Sequence, residues 1–319
     1  MNLLSSMRYL VALNEHRHFA RAAQACHITQ PALSNALRAL EQEFGIVIVR
    51  RGRVFAGLTP EGEQVLATAL SMLKAEESLR QDLSVGAGQL QGTLHMAAVP
   101  TAMPMLTRFA ALLRAQHSGI TPIVLSRSSL EIESGLEDLS LDMALGYSER
   151  MQLPGKRPAR HARIEVWPQY QEHYFVLSPA KSKGSVGPTG PITWAEAAQL
   201  PLCLLTPDMH NRLIVDESFR AAGCQVQAAM ETNSVLSLMM AVTDGGLCSI
   251  LPGALVAALP RPHRLRVRPL VEPQVQTPIS FMTQPASDST RALQAAVKLI
   301  ESEQWQQQCA EFAGALTLN

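Results

Sequence analysis

The stretch Thr29-Gln30-Pro31-Ala32-Leu33-Ser34-Asn35-Ala36-Leu37-Arg38 predicts a helix with two different faces. Thr29 is a good cap for the first turn, and Pro31 falls inside that turn, where no backbone donor is lost. The leucines of the stretch and Leu40 recur at helical spacing and form an apolar face. The opposite face carries short polar side chains, which suit a helix that enters the major groove of DNA.

The residues before this helix predict a helix-turn-helix. Apolar residues between positions 7 and 13 recur at helical spacing, and residues 19–25 form an alanine-rich segment that another helix can cross closely. Residues 26–28 make a connection of the length that such motifs use. An ordinary helical domain with a scattered polar face remains the alternative, but it does not explain this order of elements.

A basic hairpin is predicted after the helix, which Gly45 is placed to end. Residues 46–49 are a β-branched run, and residues 50–58 combine arginines with glycines, so we expect a strand, a turn and a return strand that form a wing. Residues 1–59 contain seven arginines and three glutamates, a net charge of +4, whereas the whole chain has 27 basic and 27 acidic residues. This local excess suits contact with phosphates.

Composition and motifs exclude several other classes of protein. No apolar run approaches the ~20 residues that span a bilayer, and no export signal is recognisable, so we expect no membrane partner and a cytoplasmic location. Five scattered cysteines indicate reduced thiols and not a zinc site. The sequence also lacks a nucleophile elbow, a phosphate-binding loop and a metal-spaced histidine pair, so we expect neither an enzyme nor a cofactor. A periplasmic solute-binding protein would lack the N-terminal DNA reader.

Residues 60–90 predict a linker helix that ends in a glycine hinge. Leucines recur in it at steps of three and four residues, and no partner for this stripe is obvious in the chain itself. Pairing with the same helix of a second chain would bury the stripe. Packing against the regulatory domain of the same chain remains the alternative.

Residues 91–319 predict an α/β domain, because short apolar strands alternate with helices. We expect a doubly wound sheet in two lobes with a ligand cleft at their junction, as in periplasmic binding proteins. The expected boundaries of lobe 1, lobe 2 and a C-terminal tail are, in that order, 91–163 with 267–304, 164–266, and 305–319.

The chain resembles LysR-type transcriptional regulators along nearly its full length. The resemblance is carried by Phe19-Ala20-Arg21-Ala22-Ala23, by His27-Ile28-Thr29-Gln30-Pro31-Ala32-Leu33-Ser34, by residues 40–45 and by Leu58-Thr59-Pro60-Glu61-Gly62. It implies a winged helix-turn-helix that reads promoter DNA, a dimerising linker helix and a two-lobed domain that senses a small molecule. It also implies a homo-oligomer, usually a dimer of dimers, with RNA polymerase as a further partner.

Two sets of site residues follow from this resemblance. The expected DNA-contacting residues are Thr29, Gln30, Pro31, Ala32, Ser34, Asn35, Arg38, Arg50, Arg51 and Arg53. Their chemistry fits, because Gln and Asn can bond adenine and Arg can bond guanine or phosphate. The expected effector-binding residues, which follow predicted strands, are Pro100, Thr101, Ser128, Ser129, His210, Asn211 and Arg212.

The type of effector is a separate hypothesis. Hydroxyls, amides and one guanidinium suit a small carboxylate or other anion, and formate is one candidate. Each hydroxyl has an equally good alternative role as a helix cap. A weaker resemblance, around residues 173–175 and 207–212, points to the branch with cyanate, peroxide and formate-dehydrogenase operon regulators. Asn211 stands where peroxide sensors of that branch carry their reactive cysteine, which argues against a thiol sensor; that sensor and a plain small-molecule-binding protein remain the alternatives.

Overall fold

The computed structural model describes residues 2–50, 55–83, 90–149, 164–180, 190–259, 265–285 and 290–314. It divides into two compact units. The first comprises Met1–Gly92 with Asp138–Ser140, and the second comprises Thr93–Glu137 with Leu141–Asn319.

The N-terminal unit contains the predicted helix-turn-helix, and this prediction is confirmed. Helices α1 (Leu3–His16), α2 (Phe19–Ala25) and α3 (Gln30–Phe44) pack around one core. Its fully buried members are drawn from every helix. They include Leu10, Leu13, Ala22, Leu33 and Leu40.

The structure describes the predicted wing only at its base. Within the described residues its two strands reduce to one antiparallel bridge between Val49 and Leu58, extended by a hydrogen bond from the Arg50 N–H to the Gly57 carbonyl at 3.0 Å. Gly57 has a φ of 103°, a conformation that favours glycine. Residues 51–54 lie outside the described structure.

Helix α4 (Pro60–Leu83) is the predicted linker helix, but the expectation that its stripe lacks a partner in its own chain is wrong for the first half. That half packs on the helix-turn-helix and buries Leu66 and Ala69. Arg8 of α1 forms an ion pair with Glu76. Only further along the helix do Met72 and Leu79 become exposed.

The first lobe of the regulatory unit follows the predicted alternation. Its elements in chain order are β1 (Gly92–Ala98), a short 3-10 helix (Pro100–Ala102), α5 (Met103–Gln116), β2 (Ile120–Ser126), α6 (Ser129–Glu137) and β3 (Met143–Gly146). Strands β1 and β3 pair in parallel. Two later elements, β10 (Gln276–Thr283) and α11 (Arg291–Ile300), return to this lobe. Because β10 runs antiparallel to β3, the sheet is mixed.

The second lobe contains three short elements that the sequence did not predict, β5, β7 and α10. Its elements are β5 (Ile192–Thr193), α7 (Trp194–Ala197), β6 (Cys203–Leu205), α8 (His210–Ala221), β7 (Met230–Thr232), α9 (Val235–Thr243), β8 (Ser249–Pro252), α10 (Gly253–Ala258) and β9 (Leu265–Val271). Strands β6 and β7 pair in parallel, which aligns the strand ends that precede α8 and α9.

One long strand, β4 (Glu165–Pro179), runs through both lobes. Its first part pairs with β10, up to His173 opposite Gln276. From Tyr174 onward it pairs with β8 and β9. The two-lobed architecture is thus confirmed, and one continuous strand joins the lobes.

The predicted C-terminal tail is part of the core as far as the structure describes it. Helix α12 (Glu303–Phe312) buries Trp305 completely. The indole ring lies 5.0 Å from the ring of Phe109 and 5.9 Å from that of Phe281. Residues 305–314 therefore belong to the first lobe.

Candidate DNA-binding surface and effector pocket

Helix α3 has the two faces that its sequence predicts. The Thr29 hydroxyl accepts a hydrogen bond from the Ala32 N–H at 3.3 Å and so caps the helix. Leu33, Leu37 and Leu40 are buried against the other helices. The opposite face is left to solvent, where Gln30, Pro31, Ala32, Asn35 and Arg38 are exposed and Ser34 is half-buried.

Two polar residues of this face, Asn35 and Arg38, are hydrogen-bonded to each other. The Arg38 guanidinium donates to the Asn35 side-chain oxygen at 3.1 Å, which aligns two groups able to bond base edges. Arg50 is exposed at the base of the hairpin. Arg51 and Arg53, the other two predicted phosphate contacts, lie outside the described residues.

In the regulatory unit, the starts of three helical segments converge on one small cavity. The 3-10 helix begins at Pro100, α6 at Ser129 and α8 at His210. Six of the seven predicted effector residues line the cavity, whose lining is Val99, Pro100, Thr101, Ser128, Ser129, Tyr147, Leu205, Met209, His210 and Asn211. Its volume of about 10 Å³ is close to the minimum of about 10–15 Å³ that one water molecule needs.

The two serines of the cavity have different roles. Ser128 caps α6: its hydroxyl accepts from the Glu131 N–H at 3.3 Å, and its own N–H donates to the Glu131 carboxylate at 2.8 Å. This is the capping role that the sequence left open. The Ser129 hydroxyl oxygen is buried and has no hydrogen-bond partner among the described residues. A buried polar group in that state gains free energy from any ligand that bonds it.

Tyr147, which the sequence reasoning missed, connects three of the predicted residues. Its hydroxyl lies 3.3 Å from the Thr101 hydroxyl and accepts from the Asn211 amide at 3.5 Å, and its ring lies 4.4 Å from the His210 ring. It follows β3 directly, so the same strand-end argument that selected Thr101 could have found it.

Behind Tyr147 lies a carboxyl group that is fully buried. The Tyr147 hydroxyl donates to Glu172 Oε2 at 3.3 Å, and Glu172 has 0% of its surface exposed. Burial raises the pKa of Glu172 to about 8, although the hydrogen bond from Tyr147 acts in the opposite direction. Burial, followed by the nearby Glu172, raises the pKa of Tyr147 well above its usual value. No pattern in the sequence pointed to this carboxyl.

The comparison with known families identifies the two units. The model described as "Bacterial regulatory helix-turn-helix protein, lysR family" matches residues 4–63, and the "LysR substrate binding domain" matches residues 87–305. The chain belongs to the LysR family of transcriptional regulators. Members of this family bind promoter DNA and small-molecule effectors, and they form oligomers.

Relatives of this LysR regulator include proteins named as activators of hydrogen peroxide-inducible genes. The probable transcriptional regulator LrrA of Synechococcus elongatus is 27% identical and covers 85% of this chain and 87% of its own. The hydrogen peroxide-inducible genes activator of Haemophilus influenzae is 25% identical, with 89% and 91% covered. A full-length OxyR variant from Pseudomonas aeruginosa is similar in structure, with a TM-score of 0.70, 25% identity and coverage of 94% and 95%.

Arg212 of this LysR regulator does not lie where the sequence hypothesis put it. Its guanidinium donates to Asp216 at 2.8 Å, to Glu231 at 2.7 Å and to the Leu205 carbonyl at 2.7 Å. These bonds tie α8 to β6 and β7. The guanidinium is thus used to hold the second lobe together, and it is absent from the cavity lining.

A larger cleft of about 770 Å³ lies next to the cavity and shares Pro100 with it. Its lining includes Thr107 and Arg108 of α5, Ser126, and Ser234 at the start of α9. The Arg108 guanidinium lies 3.8 Å above the Phe312 ring. The sequence reasoning assigned none of these four residues.

The five cysteines are free thiols. Cys203, Cys248 and Cys309 are buried. Burial raises the pKa of all three, that of Cys309 to about 12, and it is also the largest cause that raises the pKa of Cys26. Among the described residues no cluster of three metal-ligating side chains occurs, and no helix is long and apolar enough to cross a membrane.

Proposed function

We propose that this LysR regulator is a promoter-binding protein whose DNA complex is controlled by a small anion bound between the lobes, in the cavity lined by Thr101, Ser129 and Asn211. The observation that carries the proposal is the convergence of three helical N-termini on a buried serine hydroxyl without a partner. N-terminal N–H groups and the helix dipole both favour negative charge.

The lining supports an anion over a cation. It contains hydroxyl, amide and imidazole groups and no acidic side chain. A cavity that holds about one water molecule is too small for a carboxylate, so ligand entry must part the lobes. A ligand that fits only the parted arrangement shifts the population toward it.

The coupling to DNA follows from oligomerisation. In a tetramer formed as a dimer of dimers, a change in lobe arrangement alters the angle between pairs of DNA-binding units and thereby the bend of the promoter. We propose that the cytoplasmic homotetramer acts in this way, with RNA polymerase as the downstream partner. Footprinting of the upstream intergenic region with and without ligand tests which operon the protein binds and whether its position there suits activation or repression.

DNA recognition is tested by mobility shifts across a salt series. We expect Arg38→Ala to weaken operator binding by about 1–3 kcal/mol at every salt concentration, because it removes a base contact. Arg50→Ala serves as the phosphate-contact comparison and should reduce the slope of log affinity against log salt by about 1 per subunit. The assignment fails if both variants bind the operator like the native protein.

Ligand recognition is tested by calorimetric titration of the full chain with formate and acetate, with acetamide as the neutral counterpart. We expect heat with the anions only, and a loss of affinity of about 10- to 150-fold in Ser129→Ala, since one hydrogen bond to a charged group contributes about 1.5–3 kcal/mol. Ser126→Ala is the matched control, because Ser126 lines the adjacent cleft and not the cavity. If Ser126→Ala weakens binding and Ser129→Ala does not, the ligand binds in the adjacent cleft.

A thiol-based redox sensor is the second candidate, because several relatives are named hydrogen peroxide-inducible genes activators. Thiolate is the reactive form of cysteine, and burial disfavours it at Cys203, Cys248 and Cys309. The cavity holds Asn211 and no cysteine. These observations favour a regulator that binds its effector without covalent chemistry.

A further inference from the structure

A chain of hydrogen bonds leads from the effector cavity to the interior of the sheet. Thr101 Oγ1 lies 3.3 Å from the Tyr147 hydroxyl, which lies 3.3 Å from Glu172 Oε2. The Asn211 amide donates to the same phenol oxygen at 3.5 Å. Glu172 lies on β4 opposite Thr277, two residues before the pairing of β4 passes from β10 to β8. The carboxyl therefore lies where the two lobes join.

The surroundings of Glu172 favour its neutral form. The titratable groups that face it are Tyr147 after β3, Tyr170 and Tyr174 on β4 and, beyond Tyr170, Cys309 on α12. The ring of His210 on α8 lies 4.4 Å from the Tyr147 ring. No arginine or lysine among the described residues forms an ion pair with Glu172, and its Oε1 is buried without a hydrogen-bond partner. Burial raises its pKa to about 8, so the carboxyl is protonated at neutral pH.

The proton positions along this chain can be assigned, because the Tyr147 hydroxyl has one proton and two lone pairs. If Glu172 is ionised, Tyr147 must donate to it and accept from Thr101, which leaves the Thr101 oxygen as an acceptor toward the cavity. If Glu172 is protonated on Oε2, the oxygen that has a hydrogen-bond partner, the bond to Tyr147 reverses. Glu172 then donates to Tyr147, Tyr147 donates to Thr101, and Thr101 turns its proton into the cavity. Asn211 can donate to Tyr147 in both states.

We propose that Glu172 is a specificity-determining positioning residue of the effector pocket, which in its protonated form makes Thr101 a donor and so couples anion binding to a proton held at the lobe junction. The inference rests on the proposed function, because it takes the ligand to be an anion. The anion complex then holds more protons than the free protein. The affinity for the anion is therefore constant at pH values below the pKa of Glu172. One pH unit above that pKa it is about tenfold lower, because it is proportional to the protonated fraction of Glu172.

The protonation of Glu172 is measured first in the ligand-free protein by infrared spectroscopy. We expect the carbonyl band of a protonated carboxylic acid that disappears as the pH rises through about 8 and is missing in Glu172→Gln. Identical spectra of the native protein and Glu172→Gln between pH 6.5 and 9.5 would overturn the inference without reference to any ligand.

Coupling is measured by calorimetric titration with sodium formate between pH 6.5 and 9.5, in buffers of different ionisation enthalpy. The native protein should take up about half a proton at the pKa and lose affinity above it. Glu172→Gln, which is neutral at every pH and can donate from its amide to Tyr147, should take up no proton and show one affinity for formate from pH 6.5 to 9.5.

Two phenol-to-phenyl substitutions separate the relay from general effects on packing. Tyr147→Phe breaks the relay and should abolish the pH dependence. This variant keeps the proposal testable if Glu172→Gln does not fold. Tyr170→Phe removes a buried hydroxyl that has no partner and should keep the native pH profile. If formate binds with one pH profile in all four proteins, the coupling is refuted while the anion site stands. If no anion binds at all, the proposed ligand class and the coupling fall together.

Discussion

Glu41 shows at the scale of one residue how the reading helix and the hairpin are joined. Its carboxylate accepts from the backbone N–H groups of Ile48 at 3.0 Å and Val49 at 3.1 Å, and the residue is only 9% exposed. These two N–H groups belong to the base of the hairpin, where the described residues form one bridge, between Val49 and Leu58. The side chain of α3 thus supplies the acceptor that both N–H groups need.

We expect Glu41→Ala to loosen the base of the hairpin. It leaves two buried N–H groups without an acceptor, which costs about 2 kcal/mol and corresponds to roughly thirtyfold faster exchange of these amides. Hydrogen exchange with mass spectrometry of the peptide over residues 46–50 measures this effect in the full chain. Glu43→Ala, an exposed change two residues further, is the control. Equal exchange in the two variants would contradict the role given to Glu41.

Single residues also show how far the sequence predicts the candidate site. Local chemistry found Thr29 as a cap, and the strand-end argument found Thr101 and Ser129. Arg212 was expected at the effector site from its place after a strand, but its guanidinium is held by Asp216 and by Glu231, which the fold brings close to it. Glu172 could not be found, since the burial that changes its chemistry comes from several distant segments.

At the scale of elements, the first half of β4 carries no strand pattern in its sequence. Pro168 is unusual in a central strand, because it lacks the N–H that a ladder needs. The register shifts there: Ser280 faces Pro168, Ile279 faces Tyr170, and Gln169 is the extra residue of a bulge. The Gln169 amide donates to the carbonyl oxygens of Trp167 and Pro168 at 2.8 and 2.9 Å. Side-chain bonds of this kind leave no periodic trace in a sequence.

Helix α12 was not predicted, because few of its residues are apolar. Among the predominantly polar residues of Glu303–Phe312, Trp305 and Cys309 are the two that are buried, one helical turn apart. The Trp305 indole donates to Gln169 at 2.6 Å, so the helix also supports the bulge of β4. Helix α3, by contrast, was predicted because its packing follows the apolar period of its sequence.

At the scale of the whole molecule, helix α4 presents exposed apolar side chains in its second half. The N-terminal part of α4 is used within the chain, but Met72 is 37% exposed and Leu79 is 57% exposed. They are one heptad apart and so lie on the same face of the helix. An exposed apolar pair at this spacing fits pairing with a second copy of the helix, in a family whose members oligomerise.

We therefore expect the double substitution Met72→Ser and Leu79→Ser to weaken the oligomer without unfolding the chain, because these side chains lose little contact within it. Analytical ultracentrifugation should show dissociation at concentrations where the native protein stays assembled. Operator affinity should fall with it, since a single unit makes half the phosphate contacts of a pair. Glu77→Ser is the matched control: Glu77 is exposed on the same helix, roughly 200° around its axis from Leu79. Unchanged sedimentation of the double variant would assign oligomerisation to another surface of the molecule.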